Sequence, residues 1–340
     1  MTTVEQLPPM ARLADLTYPH PRIRDYTLDD NLPASIRPAN HARAGSAPTA
    51  NLGDLGVLPL ELLQALLAQL DLRSLSDFRL VNRRAAEVVG SIPQYKVVTT
   101  HAPNVLRGIL SIRTGRWITC EMLYDSLCTA NCQVCGDFAG YLYILTCERV
   151  CFLCLSEDVR YLPLQTDRAI RKFGLNHDII DTIPHMKSVP GKYSPMERKS
   201  SKTLGLVDYE SAHRAGIAFH GSRKAMVQHV SSLAAQEMRQ CNNWQRAAPW
   251  GLMSTASIHW SQMGDDFDAQ SGNPVRFMAV TRAPWFNKAS RVSEWGFHCL
   301  GCEIAYANRP MHFRRKFTPN QFKEHLRQCG DIRDGKHQRK

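Results

Sequence analysis

Residues 55–91 read LGVLPLELLQALLAQLDLRSLSDFRLVNRRAAEVVGS. Pro59 suits the first turn of a helix, where its missing N–H is not needed. Leu58, Leu62, Leu63, Leu66, Leu67 and Leu70 flank it, and at ~100° per residue they cover roughly half of a helix circumference. An arc that wide fits a helix buried from two sides, by its own bundle and by something else. Asp71 ends this piece, and Ser74 with Asp77 resembles a capping pair for a second, which offers Leu75, Phe78 and Leu80. A third short helix is expected from Val81 or Asn82 to Val89, stopped by Gly90 and Pro93.

Upstream, residues 1–50 carry Pro8, Pro9, Pro19, Pro21, Pro33, Pro38 and Pro48 without a helical or strand period. They read as a flexible leader in which Asp29-Asp30 is a solvated pair. The start, MTTVEQLPPMARLADL, lacks a basic stretch followed by an apolar one, so no secretory signal is expected. No apolar run approaches the ~18 residues of a membrane span, and an intracellular place, cytoplasmic or nuclear, is expected. At about 150 residues per domain, 340 residues suggest two compact units and some linker. Lys and Arg number 42 against 31 Asp and Glu, a net charge of +11. The excess is spread over modest clusters at 198–202, 314–316 and the tail Lys336, Arg339 and Lys340, and reads as ordinary solvated surface. No aromatic-plus-basic readout element accompanies it, so charge alone gives no expectation of nucleic-acid binding.

Cysteine says more. Of 11 in the chain, seven fall between Cys120 and Cys154. In an intracellular chain a dense cluster is read as a metal site before a disulfide framework. In NCQVCGDFAGYLYILTCERVCFLCL (131–155), Cys132-x2-Cys135 and Cys151-x2-Cys154 stand fifteen residues apart, the spacing of a four-thiolate zinc site. Such a site needs two tight turns that each present a pair of sulfurs, converging tetrahedrally at ~2.3 Å. Gly136 permits the first turn, and 141–145 is aromatic and β-branched enough for a strand that returns the second pair. Cys147 is the nearest rival ligand; Cys120 and Cys128 read as buried thiols.

A second constellation lies in EWGFHCLGC and FTPNQFKEHLRQC. Cys299-x2-Cys302 is followed after 22 residues by His325-x3-Cys329. Four apart on a helix, His325 and Cys329 share one face. Thr318 can cap that helix, Pro319 suits its first position, and Phe322 and Leu326 supply its apolar side. The set reads as a Cys3His zinc site, with His298 and His312 as alternatives to His325. Neither site has an evident open position, so two structural zinc ions are expected and no catalysis by them.

The order Leu58-Pro59-x-Glu61-Leu62-Leu63, Leu66, Leu70, Leu75, Leu80-Val81 and Arg83-Arg84 resembles the F-box motif over about residues 54–95. One departure is Ala85-Ala86, where F-boxes usually carry an aromatic residue. Together with TCERVCFLCL, FGL at 173–175, PGKYSP at 190–195 and a terminal EWGF-x-C-x2-C, the chain is similar to a large group of filamentous-fungal F-box proteins over most of residues 54–330. The resemblance implies a helical module that binds a Skp-family adaptor, and through it a cullin, in an SCF-type ubiquitin ligase. By it, Leu58, Pro59, Leu62, Leu63, Leu66, Leu70, Leu75, Phe78 and Val81 are the adaptor-binding residues.

Elsewhere, helices are expected at Thr166–Phe173 (ended by Gly174), before Pro184, and over 222–241, with a strand over 275–281. Trp244, Trp250, Trp260, Trp285 and Trp295 are candidates for core or for partner contacts. The fold class expected is mainly α with small β elements: a three-helix F-box, then a zinc-stabilised α+β region. Its organisation would be leader 1–50, F-box 54–98, cysteine-rich module 99–190, linker 191–210, C-terminal module 211–330 and basic tail 331–340. The function expected is a non-catalytic substrate-recognition adaptor whose region beyond residue 100 holds an unidentified protein client. A zinc-dependent nucleic-acid-binding protein is the alternative, kept alive by the basic residues at 309–316 and 323–327. No nucleotide-binding glycine loop, GxSxG, HExxH or convincing carboxylate pair points to an enzyme.

Overall fold

The leucine-rich stretch folds into three short helices, Leu60–Ala68, Leu72–Val81 and Arg83–Ser91, in a computed structural model that describes residues 10–19, 25–33, 51–193, 200–247, 273–303 and 311–338. Pro59 stands immediately before the first helix. The start of the second differs from the Ser74–Asp77 reading. Asp71 is its N-cap, accepting from the backbone N–H groups of Arg73 and Ser74 at 3.1 and 2.9 Å, because a carboxylate just outside the first turn reaches donors that a mid-turn serine cannot. Asn82 caps the third helix through Ala85 N–H at 2.8 Å. Gly90 lies inside that helix, and Pro93 opens a further one, Pro93–His101, rather than ending anything.

Helices Pro103–Ser111 and Cys120–Cys128 continue the run. A single hydrophobic core then joins the leucine helices to the cysteine-rich segment, running from Leu63, Leu67 and Leu75 through Val98, Leu106 and Leu123 to Leu142, Val150 and Val280. No core boundary falls near residue 98. Tyr141–Tyr143 pairs antiparallel with Glu148–Val150 on one side and with Val280–Arg282 on the other. The chain is thus mainly α with small antiparallel sheets. The strand expected over 275–281 is shorter, because Asn273 caps a helical turn, Pro274–Met278, by accepting from Val275 N–H at 3.1 Å.

Part of the leader is tied down. Leu28 is fully buried. Asp29, far from being solvated, accepts from Asn104 Nδ2 at 2.6 Å and from the Arg282 backbone N–H at 2.6 Å. Asp30 accepts from the Arg282 guanidinium at 2.9 Å. These partners are remote in sequence, so no local pattern announces them.

A second core gathers Phe173, Ile180, Ala212 and Met226 from Thr166–Phe173, His177–Thr182, Tyr209–His220 and the start of Arg223–Ala247, with Leu164 and Val207 added from two strands. Gly174 ends the first of these at φ +62°, as its lack of a Cβ allows. The stretch read as a linker contributes Gly205–Val207, which lies between Leu164–Gln165 and His185–Lys187 in a three-stranded sheet. A third cluster holds Cys299, Cys302, Phe317 and Phe322. The basic tail is a hairpin, Ile332–Arg333 with Lys336–His337. Trp285 donates its indole N–H to the Cys128 carbonyl at 3.0 Å, and Trp295 is exposed. Trp250, Trp260 and the pair Asp265-Asp266, which reads from sequence as a solvated loop, lie outside the described residues. Among the described residues no helix is long and apolar enough to cross a membrane.

Candidate metal centres and an exposed apolar face

The first centre grows from a tight turn and a hairpin. Cys132 N–H donates to the Asp137 carbonyl at 2.6 Å, and Gly136 N–H to the Cys132 carbonyl at 3.0 Å. Gly136 adopts φ +77° to close this turn, which presents Cys132 and Cys135 together. The hairpin of Tyr141–Tyr143 and Glu148–Val150 then delivers Cys151 beside them. Cys151 caps the helix Phe152–Glu157, which carries Cys154 one turn on; the Cys154 N–H lies 3.4 Å from the Cys151 sulfur. All four sulfurs lie within 4.8 Å of one another, and those of Cys135 and Cys151 are 3.6 Å apart. A tetrahedral ion with sulfur ligands at ~2.3 Å sets neighbouring sulfurs about 3.8 Å apart, so the group has the right size for one.

The electrostatics agree. The Cys132 sulfur is held well below the ordinary thiol range by the Cys151 thiol and by backbone N–H groups of Cys135, Cys151 and Val134. That same interaction, with burial, pushes Cys151 up. Three buried cysteines and the exposed Cys135, with Cys132 favoured as thiolate, make the donor chemistry of a soft cation. Cys147 takes no part: at φ +63° in the hairpin turn it is buried, and its sulfur lies 3.5 Å from Ser126 Oγ. Cys120 and Cys128 also lie outside the group.

The second centre joins Cys299, Cys302, His325 and His337, again within 4.8 Å of one another. Cys299 ends the strand Phe297–Cys299 and Cys302 ends the following helical turn. His325 sits on Pro319–Cys329, capped by Thr318 as its sequence predicts, and Gln321 completes a capping box. The sulfur of Cys302 stands 3.3 Å from His325 Nε2 and 3.4 Å from His337 Nε2, and that of Cys299 3.3 Å from His337 Nε2.

The fourth member is therefore His337 and not Cys329. The Cys329 sulfur lies 3.5 Å from His325 Nδ1, the ring nitrogen opposite the one that faces the group. Sharing a helix face brings the two residues together but on the wrong side of the imidazole. The chain instead reverses at Gly330, at φ +90°, where a Cβ would meet the Gln338 carbonyl oxygen at 2.0 Å. The terminal hairpin then carries His337 in over Gly301, whose own added Cβ would stand 2.9 Å from the His337 ring. His337 Nδ1 sits 2.8 Å from the Gly330 carbonyl. Donating there fixes the tautomer that leaves Nε2 free to ligate, an orienting contact typical of metal-bound histidine. His298 points to the other face of its strand, stacked on Tyr18 with ring centres 5.2 Å apart. His312 stays outside the group, 6.2 Å from His325 between ring centres.

Several of the basic residues beside this centre are engaged within the chain. Arg314 is buried in an ion pair with Asp25 and lies over the Phe152 ring. Arg315 pairs with Asp137 at 2.5 Å, Lys316 Nζ donates to the Trp295 carbonyl at 3.1 Å, and Arg327 pairs with Glu324 at 3.4 Å.

The leucine helices sort their side chains sharply. Leu63 and Leu75 are buried in the core, and Leu58, Leu70 and Phe78 are half-buried against it. These are packing residues first. Pro59 is exposed, Leu62 and Leu66 are 56% and 57% exposed, and Leu80 and Val81 are 74% and 69% exposed. Leu55, Val57 and Leu60 are exposed as well. No family model, curated protein or solved structure matches this chain.

Proposed function

We propose that this protein is a substrate-recognition adaptor of an SCF-type ubiquitin ligase. Its three-helix unit binds a Skp-family adaptor, and through it a cullin, while the region beyond residue 100 holds a protein client. One observation carries the reading. Leu60, Leu62, Leu66, Leu80 and Val81 are all exposed on one small helical unit, and so many large apolar side chains left in water on one unit point to a protein-interaction surface. Among the described residues nothing covers them. Leu62, Leu66, Leu80 and Val81 also belong to the order of residues on which the F-box resemblance rests.

Both cysteine-rich groups bind zinc in this reading. Four thiolates, or two thiolates and two imidazoles, are donor sets that zinc favours with tetrahedral geometry. The first group fastens a turn and a hairpin at the main core, and the second ties together short elements that share only a small apolar cluster, so the metal serves folding rather than chemistry. The protein itself then supplies no bond-making step. Arg314, Arg315 and Lys316, part of the basic set behind the nucleic-acid alternative, are engaged within the chain, which favours the adaptor reading.

The test is co-expression with a Skp-family adaptor, followed by size-exclusion chromatography and metal analysis of the full chain. A one-to-one complex with close to two zinc ions per chain is expected. Leu62→Asp/Leu66→Asp should abolish the complex while metal content stays unchanged. A complex that survives in the variant overturns the reading.

A further inference from the structure

The helix Pro93–His101 follows directly on the three-helix unit, and one of its faces lines a cleft of about 460 Å³. Opposite it stand the helix Cys120–Cys128 and the hairpin of Trp285–Asn287 and Val292–Glu294. The volume falls in the range of small-ligand sites, ~300–1,000 Å³.

The lining divides by chemistry. Val97, Tyr124 and Phe286 supply an apolar and aromatic surface, with Phe286 itself buried and tilted against His101 at 4.8 Å between ring centres. Around it stand Lys96, Lys288 and Arg291. Lys288 lies 5.0 Å over the Tyr124 ring and 3.6 Å from Asp125, in a loose exposed pair. Lys96 and Arg291 make no ion pair among the described residues. Among the described residues no carboxylate lines the cleft itself, Asp125 standing beside Lys288 at its edge. Lys96 and Arg291, with Lys288 partly offset by Asp125, leave a net positive field over this surface that attracts anions and repels cations.

The arrangement is held in place. Arg291 occupies the left-handed region, φ +55°, which costs a non-glycine residue free energy unless its surroundings impose it. Here the Arg291 N–H donates to the Asn287 carbonyl at 2.8 Å. Asn287 Oδ1 in turn accepts from Ala289 N–H at 3.0 Å. On the inner side, His101 Nδ1 is 2.7 Å from Ser293 Oγ, which pins the hairpin to the helix.

We infer that this cleft binds a small organic anion, a phosphate ester or carboxylate carried on an aromatic or apolar body. The anionic group meets Lys96, Lys288 and Arg291, and the body lies against Val97, Tyr124 and Phe286. This does not depend on the ligase reading, because the cleft is separate from the exposed leucines.

The probe is phenyl phosphate, titrated into the full-length protein by calorimetry, with inorganic phosphate and phenol run alongside. Saturable one-to-one binding is expected for phenyl phosphate, about tenfold weaker binding for inorganic phosphate, and none for phenol. Lys96→Gln/Arg291→Gln should weaken phenyl phosphate at least about tenfold. Both positions are exposed, so folding should be unaffected, and an unchanged melting temperature checks this. Absence of saturable binding, or equal affinity in the variant, overturns the inference. Equal binding of inorganic phosphate overturns the role given to the aromatic surface.

Discussion

Arg315, just below the second centre, donates to Asp137 in the turn of the first at 2.5 Å. One ion pair thus spans two groups whose ligands are far apart in the chain. Both side chains are largely shielded, at 29% and 18% exposure. Shielding raises the value of such a pair above that of an open surface bridge. A double-mutant cycle of Asp137→Asn and Arg315→Gln, read by chemical denaturation, should give a coupling of about 1 kcal/mol. Strict additivity would deny the connection.

His337 and Cys329 make opposite predictions about metal. His337→Ala should remove one of the two metal equivalents, because it deletes a member of the converging set. Cys329→Ser should keep both, since its sulfur faces His325 Nδ1 from outside the group. Cys132→Ser serves as the parallel loss at the first centre. Inductively coupled plasma analysis of the purified chains distinguishes these outcomes, and a lost equivalent in Cys329→Ser would return that residue to the ligand set.

Burial separates two leucines one residue apart. Leu63 is 3% exposed and Leu62 is 56% exposed. Leu63→Ala should cost about 2–4 kcal/mol through lost transfer energy and a cavity. Leu62→Ala and Leu66→Ala should each stay within about 0.5 kcal/mol, because their side chains remain largely in water in the isolated protein. Denaturant midpoints measured without any partner test this, and a large loss in Leu62→Ala would place that residue in the core.

Asp208 gives a pH dependence of known sign. Burial raises its carboxyl above the ordinary 3.8, although it accepts from Ser211 N–H at 2.8 Å and from the Tyr143 hydroxyl at 3.1 Å. Glu148 also faces it with like charge. A folded-state value above the unfolded one means the neutral form is favoured in the native protein. Stability from this group is therefore present below the unfolded value and lost as pH rises through the folded one. Asp208→Asn keeps a side-chain cap and removes the titration. Relative to the parent, the variant should gain stability as the pH rises from about 4, the ordinary carboxylate value, upward. A constant difference over that rise would show that the carboxylate is not penalised.

Much of this architecture is legible without coordinates. The cap at Thr318, the helix Thr166–Phe173 with its glycine stop, and the convergence of Cys132, Cys135, Cys151 and Cys154 all follow from patterns within about thirty residues. Such patterns work because a cap, a turn or a short hairpin closes through neighbours in the chain. The Asp71 cap was also readable, but the competing Ser74–Asp77 pair hid it.

The sequence by itself determined the helical character of residues 60–91, the first sulfur group and three members of the second. Only the tertiary structure decided that His337 completes that second group, because the reversal at Gly330 and the fit against Gly301 are long-range steric facts. It alone decided that Asp29 is buried against Asn104 and Arg282. It alone sorted Leu63 inward and Leu62 and Leu66 outward. A stripe of leucines states that a helix has apolar faces; which face meets the core depends on what the rest of the chain brings to it.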